Sequence, residues 1–545
     1  MRKASNASFS ERKKAALYTK SDIWQGRAAR LLVILLLCAQ PLYFSRERYI
    51  GITYHKWAFF VFCMVIVLLC IIAIWVYRMT RTPRLLPRDK LSYFDWAVLV
   101  FAAVTILSAL LSPYRHTTSV WIGIQERPAE VLSGRYDGAI TQLLYVAVYF
   151  IVSRWYKPNE KDFAFAAGAA SLVALIGILQ FYGMDIFRLW PNDIQQFRQD
   201  NFFFLHFRTT LGNVNIVSTY TSVAALLCGF LFLRKKSKFQ LLWLAGSALS
   251  FWMRDIAGSD SGLVGIAVTM FFALPFIIES GKVLGRTFIL LSSWVAVFTL
   301  QRLLFEVITV PRHENLSIAA RDASTLLPFV GVFVLLLAIG FVLNRKGKEP
   351  DPDAPPKWKL GVILIAGSLV IGVVGVEIMG REEAQRGEGF AGRLLFEARE
   401  VMHGNISGEM GSGRAHIWRH AFAAVPDNPI IGSGPDTFEF AFPEDAQGFM
   451  GARFDTAHNE YIQILVTHGI LGVLAYMVFL GGVLLTGLRK AFKNPLAMAA
   501  LAGFFGYCVQ AVFNISLPIV SMMLWVFAGM LANKNFIKDP QEESV

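Results

Sequence analysis

The chain has 545 residues, 55% of them hydrophobic and only 17% charged, with 45 phenylalanines and a formal net charge of +13. An average soluble domain carries roughly 25% charged residues, and protein packing alone cannot hide this much apolar surface unless lipid does part of the hiding. An ordinary soluble enzyme is thereby excluded.

A helix crossing the ~30 Å hydrocarbon slab needs about 20 mostly apolar residues. Helix is the state such segments take, because backbone polar groups in lipid must be satisfied within the segment. In chain order the sequence predicts spans at about 30–45, 57–77, 93–112, 139–153, 163–182, 214–233, 240–253, 262–278, 287–305, 323–343, 360–378, 462–487, 496–513 and 516–533. The expected class is all-α, a polytopic helical membrane protein of about 14 transmembrane helices with one large outer loop. The expected parts are a basic cytoplasmic tail (1–29), eleven spans with short loops (30–378), the outer loop (379–460), three further spans (461–533) and a cytoplasmic tail (534–545). The basic tail is too long for a signal-peptide n-region and no small-residue cleavage site follows, so the first span is expected to be retained.

The basic residues follow the spans. With both termini in the cytoplasm, predicted inner segments hold 32 Lys and Arg and predicted outer segments 19. Eight fall in residues 1–30, five from Arg78 to Lys90, four from Arg234 to Lys238 and five from Arg345 to Lys359. Short basic loops are retained on the cytoplasmic side, so the charge marks orientation in a cell membrane and not nucleic-acid binding. All five cysteines (Cys38, Cys63, Cys70, Cys228, Cys508) fall in predicted spans without metal-like spacing and read as small core hydrophobes.

Two connections are long. The link 344–359 is Pro-rich and charged and reads as a solvated hinge. The outer segment 379–460 is large enough to hold structure, and long loops without a role are uncommon. Its stretch Phe390–Met402 places apolar residues at helical spacing opposite Arg393, Glu397, Arg399 and Glu400, which predicts an amphipathic helix on the membrane surface. A second helix is expected over Ala415–Val425, ended by Pro426, Pro429 and glycines 432 and 434.

Nucleotide-binding P-loops, nucleophile elbows and zinc-helix motifs are missing from the sequence, so any chemistry is expected to need no P-loop nucleotide and no metal or other cofactor. The outer face offers instead a polar set: His458 and Asn459 where the long loop re-enters the membrane, Arg414, Arg208 before the sixth span, Arg135 in GRYDG, and Arg254. Each arginine alone reads as a snorkelling anchor. Together they suit transfer of a sugar from a lipid diphosphate. Arginines stabilise the leaving diphosphate by bidentate contacts, and a histidine takes the proton of the acceptor hydroxyl.

From His458 the chain reads HNEYIQILVTHGILG, which resembles the end of the large periplasmic loop in the O-antigen ligase and O-antigen polymerase superfamily. GRAHIWRHAFAAVPDNPIIGSGPDTF (413–438), RTTLGNVN (208–215) and GRYDG (134–138) resemble further segments of that superfamily, in the same order. The resemblance is strongest over roughly 200–490. It implies a membrane glycosyltransferase that moves an undecaprenyl diphosphate-linked oligosaccharide or polysaccharide to a glycan, lipid or protein acceptor at the outer face of the cytoplasmic membrane. The resemblance also implies that the transfer needs neither metal nor nucleotide sugar and inverts the anomeric centre. By the same resemblance His458 activates the acceptor, Arg414 and Arg208 hold the diphosphate, Asn459 orients the loop end or His458, and Arg135, Arg254, Asn213 and Asn215 contribute to binding. One departure is GSDSG (258–262) where many members carry Ser-Arg, so Arg254 is the expected substitute. A transporter or lipid-linked glycan flippase is the alternative class. It predicts ionisable residues near mid-membrane, whereas the polar set here gathers at one face. Ligase and polymerase differ only in acceptor and stay open.

Overall fold

A computed structural model describes residues 9–81, 90–124, 134–190, 206–234, 236–259, 261–308, 323–350, 357–386, 390–451 and 453–537. Asp260, the 351–356 part of the Pro-rich link, and the tails 1–8 and 538–545 lie outside them. The described residues are overwhelmingly helical, and the strands among them are one antiparallel pair of two residues each, Phe207–Arg208 and Gly212–Asn213. The predicted spans coincide largely with helix, although 262–278 is divided into Ser261–Phe272 and Leu274–Ile277 and the helix within 516–533 starts only at Ser521. Among the described residues eight helices are long and apolar enough to cross a membrane, and four shorter apolar ones (Ala139–Trp155, Ser261–Phe272, Pro495–Gln510, Ser521–Ala532) pack among them. The chain is a multi-pass helical membrane protein. Its first helix starts earlier than expected, at Phe9, inside the segment read as a tail.

Helix Val214–Arg234 is the axis of the bundle. Its most apolar stretch is wholly buried, whereas none of the corresponding stretch of Lys359–Gly380 is. Helices Gln240–Ile256, Ser261–Phe272 and Pro495–Gln510 pack around that axis. Its sequence fits the position, because small and hydroxyl residues allow close approach and the hydroxyls need no outside partner. Thr219 Oγ1 donates to Asn215 O (3.0 Å), Thr221 Oγ1 to Val217 O (2.7 Å) and Ser222 Oγ to Ser218 O (2.6 Å). Glu460–Ala491 lies against Tyr93–Leu111, Ser521–Ala532 against Ala139–Trp155, and Leu326–Lys346 against Gly281–Val307. Large aliphatic side chains left exposed on Ile52–Arg81, Leu326–Lys346 and Lys359–Gly380 suit lipid.

Several helix starts are set by short polar caps. Ser92 and Asp95 form a reciprocal capping box at Tyr93–Leu111, and Asn159, Ser280, Asn459 and Asn494 each accept from free amides of the following first turn. The wholly buried Lys56 also has a local cause. The chain over Leu35–Ala39 loosens into a π-helix before Pro41, and Lys56 Nζ donates to Gln40 O (2.6 Å) and Pro41 O (3.0 Å) in that stretch.

The long loop is folded. Helix Phe390–Met402 is present as expected and packs along Trp358–Arg386, where Arg399 and His403 both reach Glu377. A second helix, Arg414–Ala424, passes into a 3₁₀ turn Val425–Asp427, one residue offset from the predicted start. Ile417, Ala421, Phe438, Phe442, Phe454 and Ala457 form an apolar core separate from that of the bundle, closed by Ile462 and Val466 of the following helix.

That following helix is not continuous. Gly469 has φ +66° and ψ −168°, breaking Glu460–Ala491 one third of the way along. The segment Pro429–Gly434 docks into the break: Ile470 N donates to Pro429 O (2.9 Å), Leu471 N to Ile430 O (3.2 Å) and Gly434 N to Thr467 O (2.9 Å). A Cβ on Gly469 would sit 2.4 Å from Ile430 backbone, so glycine is required by both conformation and space. The sequence predicted one unbroken span over 462–487 through this glycine.

Candidate functional site

His458 sits where the folded loop turns into helix Glu460–Ala491. Its backbone is left-handed, φ +47°, an uncommon and strained state for a non-glycine residue. The turn is held from both sides. Gln463 Oε1 accepts from Ala457 N (2.9 Å) and from Thr456 Oγ1 (3.3 Å), and Asn459 Oδ1 accepts from Tyr461 N and Ile462 N as the helix cap. Trp418 Nε1, from helix Arg414–Ala424, donates to Ala457 O (3.0 Å). This bond closes the 44-residue separation between Arg414 and His458. Arg414 opens its helix after three left-handed residues, Gly411, Ser412 and Gly413, and its Nη1 donates to Gly411 O (2.7 Å).

The imidazole is electrostatically shaped. Burial, and then the charges of Arg414 and Arg135, lower its pKa to about 4, with Asp455 opposing. It is therefore neutral at pH 7 and free to accept a proton. Its Nδ1 is buried and has no hydrogen-bond partner among the described residues.

Arg135 is buried on the far side of the same site. Its Nη2 donates to Ser516 O (3.1 Å), its Nε lies 3.5 Å from Asp436 and its Nη1 3.8 Å from Asp455. Asp137, two residues on, is buried too; burial outweighs Arg135 and raises its carboxyl to about 7, with Glu460 adding to the rise. Asp436 is likewise pushed well up by burial. These carboxyls and Glu460 line a cavity of ≈ 30 Å³ together with Gln142, Tyr145, Gln463 and Ser516, room for a water or two.

Arg208 and Arg254 occupy adjoining polar sets at the same end of the bundle. Arg208 is wholly buried on strand Phe207–Arg208 with its guanidinium 5.5 Å from the Phe181 ring centre. Next to it Thr209 N donates to Gln180 Oε1 (2.7 Å) and Tyr49 Oη donates to Thr209 O (2.7 Å). Arg254 ends helix Gln240–Ile256, pairs with Asp255 (3.7 Å) and packs on Gly262, beside Ser218 and Ser222 of the axial helix. Asn213 Oδ1 accepts from Asn215 N (2.9 Å). The 511–520 loop ties the sets together: Asn514 Nδ2 donates to Asn215 O (2.9 Å), and Ser516 holds Arg135.

The fold thus brings His458, Arg414 and Arg135 into one electrostatic group, with Asn459 as the cap that holds it. Arg208, Arg254, Asn213 and Asn215 stand alongside. Sequence reading missed the buried carboxyls Asp137, Asp436 and Glu460 and the 511–520 loop. Each carboxyl stood inside a quoted motif (GRYDG, GSGPD, HNEY), but nothing in residue spacing announces that a carboxyl will be buried. Among the described residues no group of three His, Cys, Asp or Glu side chains could hold a metal ion.

A family model described as O-antigen ligase matches residues 318–477. The match takes in Arg414, Asp436, His458 and the broken helix as far as Met477, and leaves Arg135 and Arg208 outside it. No curated protein matches the chain.

Proposed function

We propose, from the match of residues 318–477 to the O-antigen ligase family model, a glycosyltransferase that moves an undecaprenyl diphosphate-linked glycan to an acceptor at the outer face of the cytoplasmic membrane. What carries this reading is the placement of His458, largely buried where the folded loop turns into helix Glu460–Ala491 and within the field of both Arg414 and Arg135. In the proposed reaction His458 takes the proton of the acceptor hydroxyl, and the oxygen attacks the anomeric carbon from the side opposite the diphosphate. The glycosidic C–O bond breaks, its electron pair goes to the diphosphate, and the anomeric centre inverts. Arg414 and Arg208 hold the developing charge, with Arg135, Arg254, Asn213, Asn215 and Asn459 shaping and binding around them.

The depressed basicity of His458 fits this sequence of events. Burial first, and then two guanidiniums, hold the imidazole weakly basic. A diphosphate seated on Arg414 offsets part of that field, so the base strengthens when the donor is bound. The reading invokes no metal and no nucleotide. It places both termini in the cytoplasm, keeps the 379–460 loop outside, and treats that loop with the helices after it as the catalytic part.

The test is transfer from a purified undecaprenyl diphosphate-linked glycan to lipid, protein and glycan acceptors in detergent with EDTA present. Wild type should transfer, and His458→Ala, folded, should lose on the order of 10²–10⁴-fold of the rate. The productive acceptor separates ligase from polymerase. Absence of transfer by folded wild type to every acceptor, or an unchanged rate in His458→Ala, would sink the reading.

A further inference from the structure

Three buried carboxyls, Asp137, Asp436 and Glu460, line one small cavity, and just behind its wall the buried guanidinium of Arg135 lies 3.5 Å from Asp436 and acts on Asp137 as well. Buried charges must be paired or neutralised, so one cation among three carboxyls leaves at least one of them protonated. The cavity also receives Tyr145, whose hydroxyl lies by Ser521, and Gln142 Oε1, which is on a side chain more than nine-tenths buried and lacks a hydrogen-bond partner among the described residues. On one side its wall is Gln463, whose Oε1 accepts from Thr456 and Ala457, immediately before His458. Arg135 therefore stands with the cavity carboxyls on one flank and the imidazole on the other.

We propose that Asp137 is a positioning residue for the transfer: the charge state of its carboxyl decides how much of the Arg135 charge reaches His458, and so how readily the imidazole takes the acceptor's proton. Ionised, Asp137 offsets Arg135 and His458 becomes the stronger base. Protonated, it leaves the guanidinium facing His458. The groups facing Asp137 are Arg135 on its own turn, Asp436 from the loop, Glu460 with its partners Tyr476 and Tyr507, and Tyr145. Those facing His458 are Arg414, Arg135 and Asp455. Glu460 is held by two hydroxyls, Tyr476 (2.5 Å) and Tyr507 (3.0 Å), and Asp436 lies 3.5 Å from Arg135, whereas Asp137 has the single hydroxyl of Ser516 beside it, so Asp137 is the carboxyl whose charge changes.

This inference rests on the transferase reading, and its test keeps the two apart. In wild type, kcat/KM should rise in a step near neutral pH. Asp137→Asn, isosteric and always neutral, should lack the step and fall about threefold to tenfold below wild type at pH 8, with little change at pH 6. Asp137→Glu should keep a step, displaced along the pH axis. It also serves if Asp137→Asn fails to fold, since loss of the step in folded Asp137→Glu would count against the proposal. A readout without turnover is the ring nitrogen resonance of His458 in histidine-labelled protein, assigned by its loss in His458→Ala. An inflection near neutral pH in wild type, absent in Asp137→Asn, is expected. A step of unchanged position in Asp137→Asn, or no neutral inflection in wild type, would overturn the role of Asp137. Inactive wild type that nevertheless shows the inflection would sink only the transferase reading.

Discussion

His458 is held in a state that costs backbone strain and depresses its own basicity, so both must be supported by neighbours. Removing the Arg414 charge relieves part of that depression. In Arg414→Gln the acidic limb of kcat/KM should therefore move to higher pH while the rate falls for want of a phosphate contact; a limb that stays still or moves down would show that Arg414 does not face the imidazole. Asp137 makes a separate statement about stability. Its folded pKa of about 7 lies above the ordinary carboxylate value, so folding favours the protonated form. That stability is complete below the unfolded pKa and is lost as pH rises through about 7. The melting temperature of Asp137→Asn should gain on wild type between pH 5 and pH 8, measured by scanning fluorimetry in detergent; a constant difference would show that Asp137 is ionised throughout. Lys56 is a structural case. Lys56→Met leaves two buried carbonyls without their donor and should cost about 1–3 kcal/mol without changing the pH profile of transfer.

At the scale of elements the break at Gly469 decides the geometry of the loop. The carbonyls of Pro429 and Ile430 are taken by Ile470 and Leu471, and Val466 and Thr467 accept from Ser433 and Gly434. The loop is thereby joined to the helix by backbone bonds a few turns from His458. Gly469→Ala meets both a left-handed backbone and a contact at 2.4 Å. It should destabilise by about 3 kcal/mol and expose the loop, read as faster proteolysis between residues 403 and 457. Protection equal to wild type would mean the docking does not hold the loop. The signature HNEYIQILVTHGILG made the segment recognisable, yet its periodicity reads as one unbroken span over 462–487. A helix break is paid for by distant backbone partners, which local hydrophobic pattern does not contain.

For the whole molecule, centre and periphery separate by composition. Small and hydroxyl residues make Val214–Arg234 the axis, and uninterrupted aliphatic runs go to the rim. The orientation proposed from the charge distribution has a direct check. Asp445→Cys in the loop should react with a membrane-impermeant maleimide in intact spheroplasts, and Lys236→Cys and Lys348→Cys only after permeabilisation; all three positions are exposed and the five native cysteines fall within predicted spans. The reverse pattern would invert the topology and put the proposed active face in the cytoplasm.

Sequence alone determined that this is a helical, multi-pass membrane protein, because apolar run length and backbone satisfaction in lipid are local properties of the chain. It also marked the loop, its two helices and the superfamily resemblance, since motif spacing survives in one dimension. Tertiary structure alone decided which polar residues share a field. His458 meets Arg135 across more than 300 residues, Asp137 meets Asp436 and Glu460 in one cavity, and Arg208 and Arg254 fall beside that group and outside it. Burial and Coulomb interaction depend on distance through space and on the loss of water, and neither is written in the order of the residues.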